Sequence, residues 1–267
     1  MTVFQDNRPS GIDQIAFKAI ACGQSHCLAL TVTGAVFSWG CGLNGRLGHG
    51  DQIGSAFPEQ IVAIAHLIVD EIACGDAHSA CITDEGRLYV WGASGNRRLG
   101  FANMLTVDTD VPTLNDYFAD TLMSRVWLGL NNSFAVTRGN ELFAWGSPSY
   151  GKQGMPGSAD AEVLVPYKLY LKGTQNVHQL AAGPFHSLAL SRDGELYTFG
   201  SSNEGKLGIF RLEERMVGRG MGGDGSGLYT IDWPWKLTEA VPPKFFQSTD
   251  DNDVFEHYVD FNTAFTS

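Results

Sequence analysis

Cations are scarce in this chain. Its 267 residues carry 18 Lys and Arg against 29 Asp and Glu, a formal charge of −11. A surface that binds DNA needs a basic footprint to displace counterions from the phosphates, and this balance offers none. The dipeptide Arg97-Arg98 is too short to serve. Long apolar runs are also missing, so no membrane-spanning helix is expected. Met1–Asn7 lacks the apolar core of a secretory leader. The five cysteines are an odd number with no C-x-x-C pair, which fits a reduced intracellular compartment. Cys22, Cys27 and His26 are close in sequence, but alternation along a strand turns such side chains to different faces, so no metal site is expected. No Ser/His/Asp set, paired-carboxylate motif or phosphate-binding loop stands out. The G-x-G-x-x-G match at Gly218–Gly223 has no strand before it and no helix after it. Neither catalysis nor a cofactor is therefore expected. No long segment carries a 3.6-residue apolar period, which leaves β structure.

What the chain does have is glycine at regular intervals. Ile20-Ala21-Cys22-Gly23-Gln24-Ser25-His26 returns as Ile72-Ala73-Cys74-Gly75-Asp76-Ala77-His78. Degraded copies follow at Val126–Asn132 and Leu180–His186, so the anchor glycines are Gly23, Gly75, Gly129 and Gly183. An aromatic-Gly pair keeps the same register at Trp39, Trp91, Trp145 and Phe199, and a second glycine follows at Gly48, Gly100, Gly154 and Gly208. Proline recurs at Pro58, Pro112, Pro166 and Pro234. A period near 50 residues marks a propeller or solenoid.

Each unit reads as strands. His26–Thr31 and Ala35–Trp39 are partly alternating runs around a turn at Gly34, with Gly86, Asn140 and Gly194 as its equivalents, where a tight hairpin needs positive φ. The small residues before each anchor glycine suit a crowded inner strand. The tryptophans are large enough to fill the gap between neighbouring blades. Because His26, His78 and His186 share one repeat position, they are read as architectural rather than catalytic, each bonding the neighbouring backbone.

These motifs resemble the regulator of chromosome condensation repeat family, with its pattern V-x-x-G-x-x-H-S-x-A-L, D-G-x-V-Y-x-W-G, N-x-x-G-Q-L-G and then P. The resemblance is close over about residues 18–210. It implies an all-β chain, a β-propeller of four-stranded blades, with four clear repeats at about 18–70, 71–124, 125–178 and 179–235 in a single domain over 1–267. Residues 215–227 read as a glycine-rich insertion, and 254–267 as a partial fifth blade. The family's usual ring has seven blades, so three arrangements stay open: a piece of a longer chain, which is favoured, a compact ring of fewer blades, or an open edge that a partner covers. The third repeat diverges most, with Trp127 at a small inner position, Asn132 at the His position, and Tyr150 and Gln153 in its loop. Asp108, Asp110, Asp116 and Asp120 make the connection before it acidic.

One fold hosts many roles, so the resemblance does not set the function. The leading expectation is a non-catalytic scaffold for other proteins, such as a subunit of a multi-subunit cytoskeletal or ciliary assembly. The expected compartment is the cytoplasm or cytoskeleton, with the nucleus as the alternative. Its expected contact rim is the residues after the anchor glycines (Gln24, Asp76, Leu130 and Pro184), with Trp127 and Tyr150 as aromatic anchors. The family resemblance raises an alternative, nucleotide exchange on a Ran-like small GTPase. Light-sensing members carry Trp directly after the anchor glycine, and none of the four positions here is Trp.

Overall fold

The computed structural model describes residues 15–102, 107–155, 165–173, 176–208 and 230–237. The glycine-rich insertion at 215–227 and the partial blade expected at 254–267 lie outside the described residues. Among the described residues, sixteen strands form four antiparallel sheets, each a simple meander in chain order. The first comprises β1 (Phe17–Cys22), β2 (His26–Thr31), β3 (Val36–Gly40) and β4 (Ser55–Gln60). The second comprises β5 (Val69–Cys74), β6 (His78–Thr83), β7 (Leu88–Gly92) and β8 (Thr109–Leu114). The third comprises β9 (Met123–Leu128), β10 (Asn132–Thr137), β11 (Leu142–Gly146) and β12 (Tyr167–Leu169). The fourth comprises β13 (Val177–Ala182), β14 (His186–Ser191), β15 (Leu196–Ser201) and β16 (Thr230–Lys236). The chain is thus all-β, with propeller blades whose inner two strands pack on those of the next sheet. Among the described residues the only helical turns are three-residue 3-10 segments.

Local sequence explains each blade. The hairpins between the second and third strands turn at Gly34, Gly86, Asn140 and Gly194, with φ of +87°, +88°, +63° and +81°. Asn140 is the one non-glycine, and asparagine is the residue that tolerates this conformation best. Pro58, Pro112 and Pro234 lie on outermost strands, where a missing N–H removes no ladder bond from a neighbour. Gly75 is required by close approach: an added Cβ would lie 2.1 Å from His78 Cε1 and 2.6 Å from the Gly129 carbonyl oxygen.

The hydrophobic core lies between blades. Leu28 and Leu30 of β2 pack against Val69, Ile72 and Trp91 of the second sheet. Ala80 and Ile82 pack in the same way against Val126 and Trp145, and Phe134 and Val136 against Leu180 and Phe199.

A polar lock completes the first two junctions. The Arg46 carbonyl accepts from Trp91 Nε1 at 3.0 Å and from Ser79 Oγ at 2.9 Å. His26 Nε2 lies 2.9 Å from the same serine oxygen. The serine's single proton goes to the carbonyl, so the neutral imidazole donates to Ser79 from Nε2. One junction on, the Arg98 carbonyl accepts from Trp145 Nε1 at 2.9 Å and Ser133 Oγ at 2.8 Å, and His78 Nε2 meets Ser133 at 3.0 Å. The shared repeat position predicts that each histidine bonds neighbouring backbone. Instead, these two bridge to a serine of the next blade.

At the third junction, among the described residues, the lock keeps only the serine bond, from Ser187 Oγ to the Lys152 carbonyl at 2.7 Å. Phe199 replaces the tryptophan and offers no N–H. Asn132 replaces the histidine, and its buried amide makes no hydrogen bond to the described protein. Gln153 stands where the other repeats have Leu47, Leu99 and Leu207, and its amide is likewise buried and unpaired.

Two predictions follow from the junctions. Gln153→Leu removes a buried, unpaired amide and supplies the apolar side chain of the sister repeats. It should raise stability by about 1–3 kcal/mol, read from urea unfolding. Burial, and then the Arg46 charge, pushes the His26 pKa down to about 4. The unfolded state therefore binds this proton from about pH 6.5 while the folded state does not until about 4. Stability should fall as the pH drops through that window, by on the order of 3 kcal/mol from His26 alone. His26→Asn, the third repeat's choice, should flatten the urea-midpoint profile over that range.

Candidate functional site

The loops joining the first two strands of each blade, and those following the third strand, gather along one edge of the sheets. Each third-strand loop contains a 3-10 turn with a non-glycine residue held in the left-handed region: Asn44, Asn96, Tyr150 and Glu204, at φ of 61°, 57°, 65° and 59°, with Arg97 beside Asn96 at 55°. Asparagine accepts this conformation readily. Longer side chains do not, so Arg97, Tyr150 and Glu204 are strained there, and Tyr150 is the bulkiest of the three.

Two residues further on, every repeat places a cation: Arg46, Arg98, Lys152 and Lys206. Three of them reach forward to the next blade. Arg46 Nη1 lies 3.4 Å from the Asp76 carbonyl and Arg98 Nη1 3.3 Å from that of Leu130. Lys152 Nζ lies 3.1 Å from the Pro184 carbonyl and also donates to Asn131 Oδ1. The cations therefore hold the backbone of the expected rim residues. Arg46 is further fixed by Ser25 Oγ, Asn44 Oδ1 and the Leu43 carbonyl. Burial, with Arg98 nearby, pushes the Lys152 ammonium down to about 8. This cationic row was missed because only its 50-residue register, not local density, reveals it. Its signal is a basic residue two positions before the second anchor glycine in all four copies.

The structure brings Gln24, Asp76, Leu130 and Pro184 to equivalent places in the four inner hairpin loops. Gln24 and Pro184 are exposed, whereas Asp76 and Leu130 are half-buried. Trp127 is elsewhere: it lies on β9, half-buried against the core between the third and fourth blades. Tyr150 is on the loop edge and 50% exposed, and it meets Phe185 edge-on, with ring centroids 5.0 Å apart at 81°. Phe185 is itself 43% exposed, and Lys206 Nζ sits 5.5 Å from its ring centroid. Phe185 did not figure in the expected rim. Its signal was an aromatic at a position that holds Ser25, Ala77 and Asn131 in the other copies. The acidic connection has a structural use, since Asp108 accepts from Asn44 Nδ2, Ser94 N and Ser94 Oγ and so ties the first blade's loop to the second. Those bonds, together with the Arg98 charge, outweigh burial and hold its carboxyl below the usual range. Among the described residues, no group of three His, Cys, Asp or Glu side chains could hold a metal ion, and no helix is long and apolar enough to cross a membrane.

Family models of the regulator of chromosome condensation (RCC1) repeat match residues 33–82 and, separately, 17–46, 69–98 and 177–206. The chain belongs to the RCC1 repeat family. The matched segments fall on the first, second and fourth repeats, and it is the third that carries Trp127, Asn132 and Gln153. Among RCC1-repeat relatives, the chain is 32% identical to the ultraviolet-B receptor UVR8 of Arabidopsis thaliana over 234 residues, covering 87% of this chain and 52% of the receptor. Human WBSCR16 superposes with a TM-score of 0.66 at 25% identity, covering 83% of this chain and 52% of that one. Prp20p of Saccharomyces cerevisiae superposes with a TM-score of 0.55 at 22% identity, covering 85% and 66%. The chain thus spans about half the length of the receptor and of WBSCR16. The Prp20p structure was described with its binding to Gsp1p and histones.

The strain at Tyr150 gives a test. Tyr150→Asn should stabilise the chain by about 1 kcal/mol, because asparagine fits the left-handed region. If thermal unfolding shows a loss instead, the Tyr150–Phe185 contact outweighs the backbone strain.

Proposed function

We propose that this chain is a non-catalytic protein-interaction scaffold or structural subunit, and that it captures its partner on the loop edge around Tyr150, Phe185 and Pro184. The observation that carries this reading is the exposed aromatic pair, held on a strained backbone and flanked by Lys152 and Lys206. Tyrosine and phenylalanine that are already ordered lose little side-chain entropy on contact, and such anchors dominate binding energy. Gln24, Asp76 and Leu130 extend the same rim over the earlier blades. Trp127 takes part through packing beneath it. A multi-subunit assembly in the cytoplasm or cytoskeleton, a ciliary one included, suits an acidic propeller whose specificity lies in its loops, and a nuclear location is the alternative. Chemistry is not expected, because His26, His78, Arg46, Arg98 and Lys152 are committed to holding the blades together.

The second reading is regulation of a small GTPase, including nucleotide exchange. It is favoured by the structural kinship with Prp20p, whose binding to Gsp1p was described.

The test is affinity capture of tagged chain from cell extract, with a Tyr150→Ala/Phe185→Ala variant alongside. Both side chains are about half exposed, so the variant should stay folded by circular dichroism. The scaffold reading expects near-stoichiometric subunits of one assembly, reduced at least tenfold in the variant. If the recovered partner is a nucleotide-free small GTPase and the chain accelerates GDP release, the exchange reading replaces it. Equal capture by wild type and variant moves the contact off this rim.

A further inference from the structure

The three junctions are not equally tied. At the edge away from the loops, the first residue of each inner strand meets the hairpin turn of the preceding blade. Val69 N donates to the Gly34 carbonyl at 3.0 Å, and Met123 N to the Gly86 carbonyl at 2.8 Å. Their counterparts at the third junction are Val177 and Asn140, and among the described residues no hydrogen bond joins these two. The anchor glycines show the same separation. An added Cβ on Gly23 or Gly75 would lie 2.3 or 2.6 Å from the carbonyl oxygen of the next anchor glycine. On Gly129, the nearest atoms it would meet in the next blade belong to Ala182, at 2.9 and 3.2 Å. β9 and β10 accordingly pack less closely on β13 than β1 and β2 do on β5, or β5 and β6 on β9.

This is also the junction that has lost the indole and imidazole bonds of the lock and that buries the unpaired amides of Asn132 and Gln153. Two links through Lys152 persist: its carbonyl accepts from Ser187 Oγ at 2.7 Å, and its Nζ donates to the Pro184 carbonyl at 3.1 Å. Both lie at the loop edge, where the turn Ser149–Gly151 also packs closely on β15 and β16. At the other edge, Tyr197 Oη donates to the Lys172 carbonyl at 2.6 Å, which ties the segment leading into β13 to the fourth sheet itself. Between the edges the contact is apolar, Phe134 and Val136 against Leu180 and Phe199. Apolar attraction has no preferred direction, so such a surface permits rotation that a hydrogen-bonded one resists.

We propose that the third junction is a hinge: the fourth sheet pivots on the loop edge and parts from the third at the opposite edge, while the first three sheets stay joined. Tyr150 stands on one side of the pivot and Phe185 on the other, so the movement changes the angle and spacing of the aromatic pair. On the reading that this pair anchors a partner, a partner that grips both rings selects one hinge position. The hinge itself does not depend on that reading, and its test needs no partner.

The test is native-state hydrogen exchange on the full chain, read by mass spectrometry. Amides of β13 and β14 should exchange roughly tenfold faster than those of β5, β6, β9 and β10, because a weakly tied unit opens ahead of the rest. Asn132→His brings an imidazole back opposite Ser187 and should slow β13 and β14 roughly tenfold, the effect of one buried hydrogen bond regained. Phe199→Trp returns an indole N–H to the Lys152 carbonyl and should do the same. Neither should alter β5 or β6. Conversely, Trp145→Phe removes the indole bond of the second junction and should speed exchange in β9 and β10 roughly tenfold. That variant decides the matter if neither restored chain keeps its circular dichroism. Equal wild-type rates for the fourth and second sheets overturn the proposal. Fast exchange in β13 and β14 that no folded restored variant slows overturns it as well, as do β9 and β10 rates left unchanged by Trp145→Phe.

Discussion

The structure depends on a single backbone carbonyl at each of the first two blade junctions. In the loop of one blade, the Arg46 or Arg98 carbonyl takes an indole N–H and a serine hydroxyl from the next blade. Both lone pairs are then used, so the loop cannot slide without leaving two buried donors unpaired. The histidine that donates to the same serine adds a third link, and its ring lies against a glycine that has no room for a side chain. Apolar packing supplies most of the attraction between sheets, but this polar set fixes their register.

The recognition edge is a consequence of that lock. The residues whose carbonyls complete it also carry the forward-reaching cations, which pin the backbone of the next inner loop. The side chains of those loops are left free to vary, and they do: Gln24, Asp76, Leu130 and Pro184 share a place in the fold and little chemistry. The third junction shows how far the lock can erode. With Asn132, Phe199 and Gln153 it retains only the serine bond, and next to that weakened junction Tyr150 and Phe185 gather as an exposed aromatic pair. Lost polar pairing is thus concentrated at one junction while the other two keep their full set of bonds.

Much of the fold was legible because the repeat carries it. Four anchors in register identified strands, turns and blades, and even the degraded third copy, with no histidine and a tryptophan at a small position, formed the same sheet. The candidate site was less legible. Tyr150 was singled out as an unusual residue, but its positive φ and its contact with Phe185 depend on a loop from another blade. Trp127 looked like a surface anchor because it replaced a small residue, yet strand alternation turns it toward the core. The cations escaped notice because the net charge of −11 averages over the chain, whereas their effect comes from alignment across blades.

The sequence by itself determined the blade: alternation, turn glycines and aromatic anchors are local signals that each 50-residue unit can express on its own. Tertiary structure alone decided the partners of those residues. A histidine that reads as a link to nearby backbone instead bonds a serine some 50 positions on. A carbonyl carries no sequence signature, yet it holds the junction, because hydrogen-bond geometry between blades is set by how two sheets pack and not by either one alone.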